Sequence, residues 1–294
     1  MKYKRVGITV KSGLEDKDGA VEKVIEILRK IGVKEICIDS KRTEGLECAK
    51  DLVPFESEKD IDLLVVIGGD GTILRAVREL NTFSTPILSV NRGTVGFLAE
   101  TELEEAEELF PQLLNGEGVL EKRDILAISA HRDGKELHSG FALNEAVIAQ
   151  GTIARLVDLD TFVNGESLTS FHSDGLIIST PTGSTAYSLA SGGPIVHPQL
   201  SATILTPINP HSFSQKPVVI PSQQEVEVKV CTKPNKFQDA EVVLTLDGQV
   251  YIPLKNKDVV KACACGDTVQ FLRRKQDTFF GTLREKLKWG ERMD

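Results

Sequence analysis

No run of about 18 apolar residues occurs in the 294-residue chain, so it offers no membrane-spanning helix. The stretch from Met1 to Val10 is short, basic and alternating, without the apolar centre or small-residue cleavage site of an export signal. Cysteine is sparse, with Cys37, Cys48, Cys231, Cys263 and Cys265 scattered and odd in number. That argues against a disulfide framework and for a cytoplasmic protein. Cys263 and Cys265 have no second Cys or His pair at ligand spacing, and residues two apart on a strand pack side by side equally well. Positive charge is in the minority, 35 Lys and Arg against 43 Asp and Glu, for a net charge of -8. A broad electrostatic surface for nucleic acid is therefore not expected. The single tryptophan, Trp289, sits in the tail and reads as a packing anchor. His131, His138 and His197 have no partner at catalytic spacing and read as surface or loop residues. Internal repeats and low-complexity segments are absent.

What is present changes grammar part-way along. Arg5–Val10, Glu35–Ile38, Leu63–Ile67 and Pro86–Val90 read as strands. Val21–Lys30, Thr72–Leu80 and Glu102–Leu114 carry apolar residues at helical spacing. Strand–helix alternation requires crossover connections, which predicts an α/β, Rossmann-like domain on a parallel sheet. Leu63–Ile67 is apolar throughout, as in a central strand covered on both faces. From about Glu121 the period becomes two, as in Glu225–Val230 and Val157–Val163. Asn164-Gly165 and Asp247-Gly248 are hairpin-turn pairs. The second domain is accordingly predicted to be mainly antiparallel β, a β-sandwich. The boundaries drawn are 1–117 and 118–275, with a helix at about 276–294 packing back on the first domain.

Gly68-Gly69-Asp70-Gly71-Thr72 lies between the buried strand and the next helix. Ligands of open parallel sheets bind at the carboxyl ends of strands. Glycine lets the backbone approach a phosphate, and a helix N-terminus adds amide donors. A tight turn whose Asp caps the helix is the plainer alternative. No Gly-Lys-Ser/Thr follows, so this is not a Walker A loop, and Leu74 occupies the third glycine position of the dinucleotide fingerprint. A second polar constellation comprises Asn144-Glu145, Asp174-Gly175 and the run Thr180-Pro181-Thr182-Gly183-Ser184-Thr185-Ala186-Tyr187. Its small hydroxyl residues suit a flat polar ligand, and Tyr187 could stack on a base. By composition alone it also reads as a Ser/Thr-rich loop leading into a capped helix.

The glycine loop resembles that of a phosphotransferase superfamily containing NAD kinases, diacylglycerol and sphingosine kinases and, more distantly, 6-phosphofructokinases. The later blocks, with Asn91–Phe97 and Thr206–His211, resemble NAD kinases specifically, over Leu63 to Gln249. The resemblance implies transfer of a phosphoryl group from ATP to the 2′-hydroxyl of the adenosine ribose of NAD, giving NADP, with Asp70 as proton acceptor. It implies a phosphate loop of Gly68, Gly69, Gly71 and Thr72. NAD contacts would fall to Asp70, Gly71, Arg75, Asn144, Glu145, Arg155, His172, Asp174, Thr185, Ala186, Tyr187, Ser188, Leu189, Ala190 and Gln249. A divalent ion, Mg²⁺, would be held mainly by the ATP phosphates, and the chain would be a homodimer or homotetramer binding neither nucleic acid nor membrane. Two positions depart from the family pattern, His172 and Lys216, where Arg is common. The rival readings are a lipid kinase sharing the glycine loop and a non-catalytic NAD(P) sensor.

Overall fold

The computed structural model describes residues 2–42, 45–92, 96–99, 101–151, 156–231, 242–276 and 278–288. The chain divides into two compact units, Met1–Lys122 with Thr268–Asp294, and Arg123–Asp267. Among the described residues no helix is long and apolar enough to cross a membrane.

The first unit is an α/β layer structure. Its strands are β1 (Arg5–Val10), β2 (Glu35–Asp39), β3 (Val53–Phe55), β4 (Leu63–Ile67), β5 (Ile87–Asn91) and the short β6 (Thr101–Glu102). Helices α1 (Lys17–Ile31), α2 (Asp70–Leu80) and α3 (Ala106–Gln112) connect or follow them. The order β5-β4-β1-β2-β3 is parallel throughout. β4 pairs with β1 on one side and β5 on the other, which is why all of its residues are buried. α1 buries Ala20, Val21, Val24, Ile25, Ile27 and Leu28, the apolar stripe legible in its spacing. It stops at Gly32, whose φ of 83° supplies the left-handed cap that a side chain would resist.

Three local differences from the sequence reading have physical causes. β3 was not anticipated, being three residues long at the sheet edge, where Pro54 is tolerated. The helix expected over Glu102–Leu114 is shorter, because Thr101–Glu102 pairs with β5 and Gly116, at φ 97°, ends the last turn. α2 begins two residues earlier than the spacing suggested, because Gly69 serves as its extended N-cap.

The second unit is antiparallel. It contains β7 (Val119–Arg132, of which the residues up to Lys122 belong to the first unit), β8 (Lys135–Ala142), β9 (Glu145–Gln150), β10 (Val157–Val163), β11 (Glu166–Ser173) and β12 (Gly175–Ser179). After the short helix α4 (Tyr187–Ala190) come β13 (Ala202–Ile208), β14 (Val218–Pro221), β15 (Val226–Cys231), β16 (Val242–Leu246), β17 (Val250–Leu254) and β18 (Val259–Arg273). One sheet runs β14-β13-β12-β9-β16-β17, and β11-β10-β15-β18 with the β7–β8 hairpin form the other. Both sheets contribute to a single core, with Leu159, Val226 and Val228 from one and Ile148, Leu176 and Leu244 from the other. This is the expected sandwich. His131 and His138, read as surface or loop residues, lie in strands and are half-buried. From Thr268 onward β18 belongs to the first unit and pairs in parallel with β5, and α5 (Phe279–Leu287) follows. Trp289 lies outside the described residues.

Ile67 is fully buried at the end of β4, immediately before the glycine loop. Ile67→Ala leaves a cavity there and is expected to cost about 2–5 kcal/mol. A chemical-denaturation midpoint within error of the parent would show that the strand end is not close-packed.

Candidate active site

In the first unit the buried strand β4 delivers Gly68 and Gly69 to the start of α2. Gly68 has φ 154°, and a Cβ there would lie 2.4 Å from Thr72 Oγ1. The turn therefore demands glycine. Asp70 is the first helical residue, yet its carboxylate does not cap its own helix. Oδ2 accepts from the Phe97 amide at 2.9 Å, and Oδ1 accepts from Leu98 at 3.1 Å and Ala99 at 3.0 Å. Ser89 donates to the Leu98 carbonyl at 3.0 Å, tying the same segment to β5. Gly96 makes the approach possible: a Cβ there would stand 1.9 Å from Asp70 Oδ1. The reading of Asp70 as a plain helix cap is thereby replaced. A carboxylate offers roughly four lone-pair directions. With three taken by amides, the side chain is held in one orientation and one direction is left for a substrate group. A Cβ on Gly71 would meet nothing within 4 Å, so the backbone there is open to a ligand. Arg75 is exposed on α2, 4.0 Å from Glu79, which is itself paired with Arg42 at 3.0 Å.

In the second unit the Asn144-Glu145 pair stands at the start of β9. Asp247, in the β16–β17 turn, accepts from three successive amides: Leu143 at 2.9 Å, Asn144 at 2.8 Å and Glu145 at 3.1 Å. From the other side the Thr180 hydroxyl donates to the Leu143 carbonyl at 2.6 Å, and the Thr180 amide to the Asn144 carbonyl at 2.9 Å. Gly183 packs so closely that a Cβ would lie 2.2 Å from the Asn144 carbonyl oxygen. Glu145 is 7% exposed and its Oε2 has no hydrogen-bond partner. Burial, then the charge of Asp247, push its carboxyl up to about 8, against a partial offset from the Tyr187 amide.

The run after β12 sorts its hydroxyls by direction. Ser184 and Ser188 are fully buried: Ser184 bonds the Pro181 carbonyl at 2.6 Å, and Ser188 bonds Thr206 at 2.9 Å. Thr185, Ala186 and Leu189 are half-buried, while Tyr187 and Ala190 are exposed. Asp174 joins β11 to β12 and accepts from Asn209 Nδ2 at 3.0 Å. His172 is exposed on β11, opposite Asp158 of β10, with Nδ1 2.6 Å from the Asp158 carboxylate. The His211 ring meets it edge-on at 5.7 Å. Gln249 follows the turn, its amide donating to Leu246 at 2.9 Å. Arg155 and residues 93–95 of the Asn91–Phe97 block lie outside the described residues. Among the described residues no group of three or more His, Cys, Asp or Glu side chains is arranged to hold a metal ion.

Two family models match this chain: the ATP-NAD kinase N-terminal domain over residues 9–118 and the ATP-NAD kinase C-terminal domain over residues 143–274. The chain belongs to the NAD kinase family. The NAD kinase of Geobacter sp. (strain M21) is 41% identical over 253 residues, covering 86% of each chain. That of Solibacter usitatus is 39% identical over 292 residues, covering 98% of this chain and 99% of its own. Among solved structures, yeast NADH kinase complexed with NADH matches with a TM-score of 0.85 at 26% identity, over 99% of this chain and 89% of that one. An NAD kinase from Archaeoglobus fulgidus in complex with ATP matches at 0.73 and 26% identity, over 97% and 98%. The C-terminal match spans the second constellation, which separates the NAD kinase reading from the lipid kinase reading of the glycine loop alone.

Of the polar residues described above, sequence reasoning missed the amides gathered by Asp247. It was legible as a turn residue, and nothing local announced the amides it would gather.

The Glu145 carboxyl has a definite signature in stability. Below the ordinary value of 4.5 the folded and unfolded chains both hold the proton; between there and about 8 only the folded chain does. The stabilisation is therefore full at low pH and lost as pH rises through about 8. Gln cannot titrate, so the melting temperature of Glu145→Gln relative to the parent should climb from pH 5 to pH 8.5 and then level off. A difference that stays constant over that range would show that Glu145 does not hold a proton there.

Proposed function

We infer that this chain is an NAD kinase: it transfers the γ-phosphoryl group of ATP to the 2′-hydroxyl of the adenosine ribose of NAD, producing NADP. The observation that carries the chemistry is the Asp70 carboxylate, immobilised by three amides at the open, glycine-lined start of α2. Phosphoryl transfer asks the protein mainly for alignment and charge neutralisation. Asp70 orients the attacking hydroxyl and takes its proton as the bond to phosphorus forms. The α2 N-terminus and the loop of Gly68, Gly69, Gly71 and Thr72 favour the donor phosphates. Arg75, half-exposed and only loosely paired, is available to a phosphate. A divalent ion such as Mg²⁺, held mainly by the ATP phosphates, would supply further charge neutralisation.

In the second unit Asn144 and Glu145 hold ribose hydroxyls of NAD, and Asp174 lies near the nicotinamide. The exposed Tyr187 and its neighbours Thr185, Ala186, Leu189 and Ala190 line the dinucleotide, with Gln249 and Arg155 completing the set. Ser188, expected as a contact, is buried with Thr206 and anchors the segment instead of facing the ligand. His172 takes the place of an arginine and sits against Asp158, so its phosphate grip is weaker than a guanidinium fork. The enzyme works as a homodimer or homotetramer in the cytoplasm.

The reading is tested by incubating the protein with ATP, Mg²⁺ and NAD and measuring NADP. Asp70→Asn should lower turnover by about 10²–10⁴-fold, the range of a positioned general base, with NAD affinity largely retained. Gly96→Ala, which drives a methyl group into the Asp70 carboxylate, should lower turnover by about 10²-fold, as a displacement near 1 Å does. Full turnover in Asp70→Asn would remove it from the chemistry.

A further inference from the structure

The turn that carries Asp247 does not by itself require an aspartate. Asp247 and Gly248 have φ 49° and 63°, a left-handed pair within the three-residue connection between Leu246 of β16 and Val250 of β17. Asparagine meets that backbone requirement at least as well. What asparagine cannot supply is a second acceptor oxygen. Both carboxylate oxygens are in use, Oδ2 for the Leu143 amide and Oδ1 for those of Asn144 and Glu145. An amide group there would turn an NH₂ against one of these donors. The Asp247 amide also donates to the Glu145 carbonyl at 3.0 Å, so the turn grips the same dipeptide from backbone and side chain. Asp247 is 9% exposed and lies outside the ligand-contact set proposed above.

We propose that Asp247 is a positioning residue for the NAD substrate: by gathering the amides of Leu143, Asn144 and Glu145 it fixes the bend that presents Asn144 and Glu145 to a ribose. The proposal rests on the reading that this pair holds NAD. Three successive amides converge on one anion only if the chain bends around it. Without the anion, the donors buried at Asn144 and Glu145 compete for other acceptors and the pair loses its orientation. The Asp247 charge has a second effect. After burial, it is the charge among the described residues that favours the protonated form of the Glu145 carboxyl, with the Tyr187 amide opposing it. A ribose diol donating to Glu145 favours the carboxylate, so NAD binding opposes the protonated form that burial and then the Asp247 charge favour.

The test compares Asp247→Asn and Glu145→Ala with the parent for NAD and ATP affinity by calorimetry and for NADP formation from pH 6 to 9. Asp247→Asn should raise the KM for NAD by about ten- to a hundredfold, the range of hydrogen bonds to a charged group. Its kcat and ATP affinity should change much less. The pH midpoint of its NAD affinity should move lower, because the charge opposing ionisation of Glu145 is gone. A purely structural Asp247 would lower kcat and both affinities together, which overturns the proposal. Should Glu145→Ala bind NAD normally, the assignment of the pair to NAD fails and the proposal with it. Weak NAD binding in Glu145→Ala beside normal binding in Asp247→Asn would overturn the positioning role alone. Hydrogen exchange on the parent protein tests the clamp even if Asp247→Asn does not fold. The Leu143, Asn144 and Glu145 amides should be strongly protected, and exchange at loop rates would overturn the proposal.

Discussion

A carboxylate partly or wholly withdrawn from water must be given donors, and at two points this chain supplies them from three successive backbone amides. Asp70 receives those of Phe97, Leu98 and Ala99; Asp247 receives those of Leu143, Asn144 and Glu145. Leaving an ionised group buried without such partners would cost several kcal/mol, so each arrangement is self-enforcing. The segment must bend around the anion, and the bend then fixes everything attached to it. The two clamps serve different ends. At Asp70 the carboxylate is itself the working group in the proposed reaction, and the amides orient it. At Asp247 the carboxylate is the tool and the side chains on the bent segment do the work.

Close approach is the corollary. Amides converge on an anion only where nothing projects between them, which explains why glycine flanks both segments. Gly96 adjoins the amides that hold Asp70, and Gly183 lies against the carbonyl of Asn144. Both clamps also need an immobile base. Asp70 springs from the end of β4, buried along its whole length, and Asn144-Glu145 opens β9, paired with β12 on one side and β16 on the other. The Asp247 turn is carried by β16, so adjacent strands of one sheet bring clamp and clamped segment together.

Glu145 shows what this arrangement stores. Its carboxyl is buried beside a second negative charge, with one oxygen unpartnered. No packing requirement explains an acid in that position, and a site that accepts hydroxyl donors does. Buried groups with displaced proton affinities collect where ligands are handled. The same logic distinguishes Glu145 from Asp258, equally buried but fully engaged by Arg132 at 2.7 Å and 2.9 Å.

Periodicity and turn chemistry in the sequence determined the two kinds of domain, since a 3.6-residue apolar stripe and a two-residue alternation each admit one class of partner surface. The glycine loop and the Asn144-Glu145 and Thr180–Tyr187 blocks were legible because their residue types are unusual at those places. Short elements were not: β3 takes its pairing from β2 rather than from any pattern of its own. Nor could linear order reveal that the Asp70 side chain reaches a loop 27 to 29 residues ahead, or that Asp247 reaches back 102 to 104. The hairpin signal at Asp247-Gly248 fixes backbone angles and says nothing of what the carboxylate meets. Only the tertiary structure decides that, because the amides that satisfy a buried charge come from whichever strand the sheet places beside it.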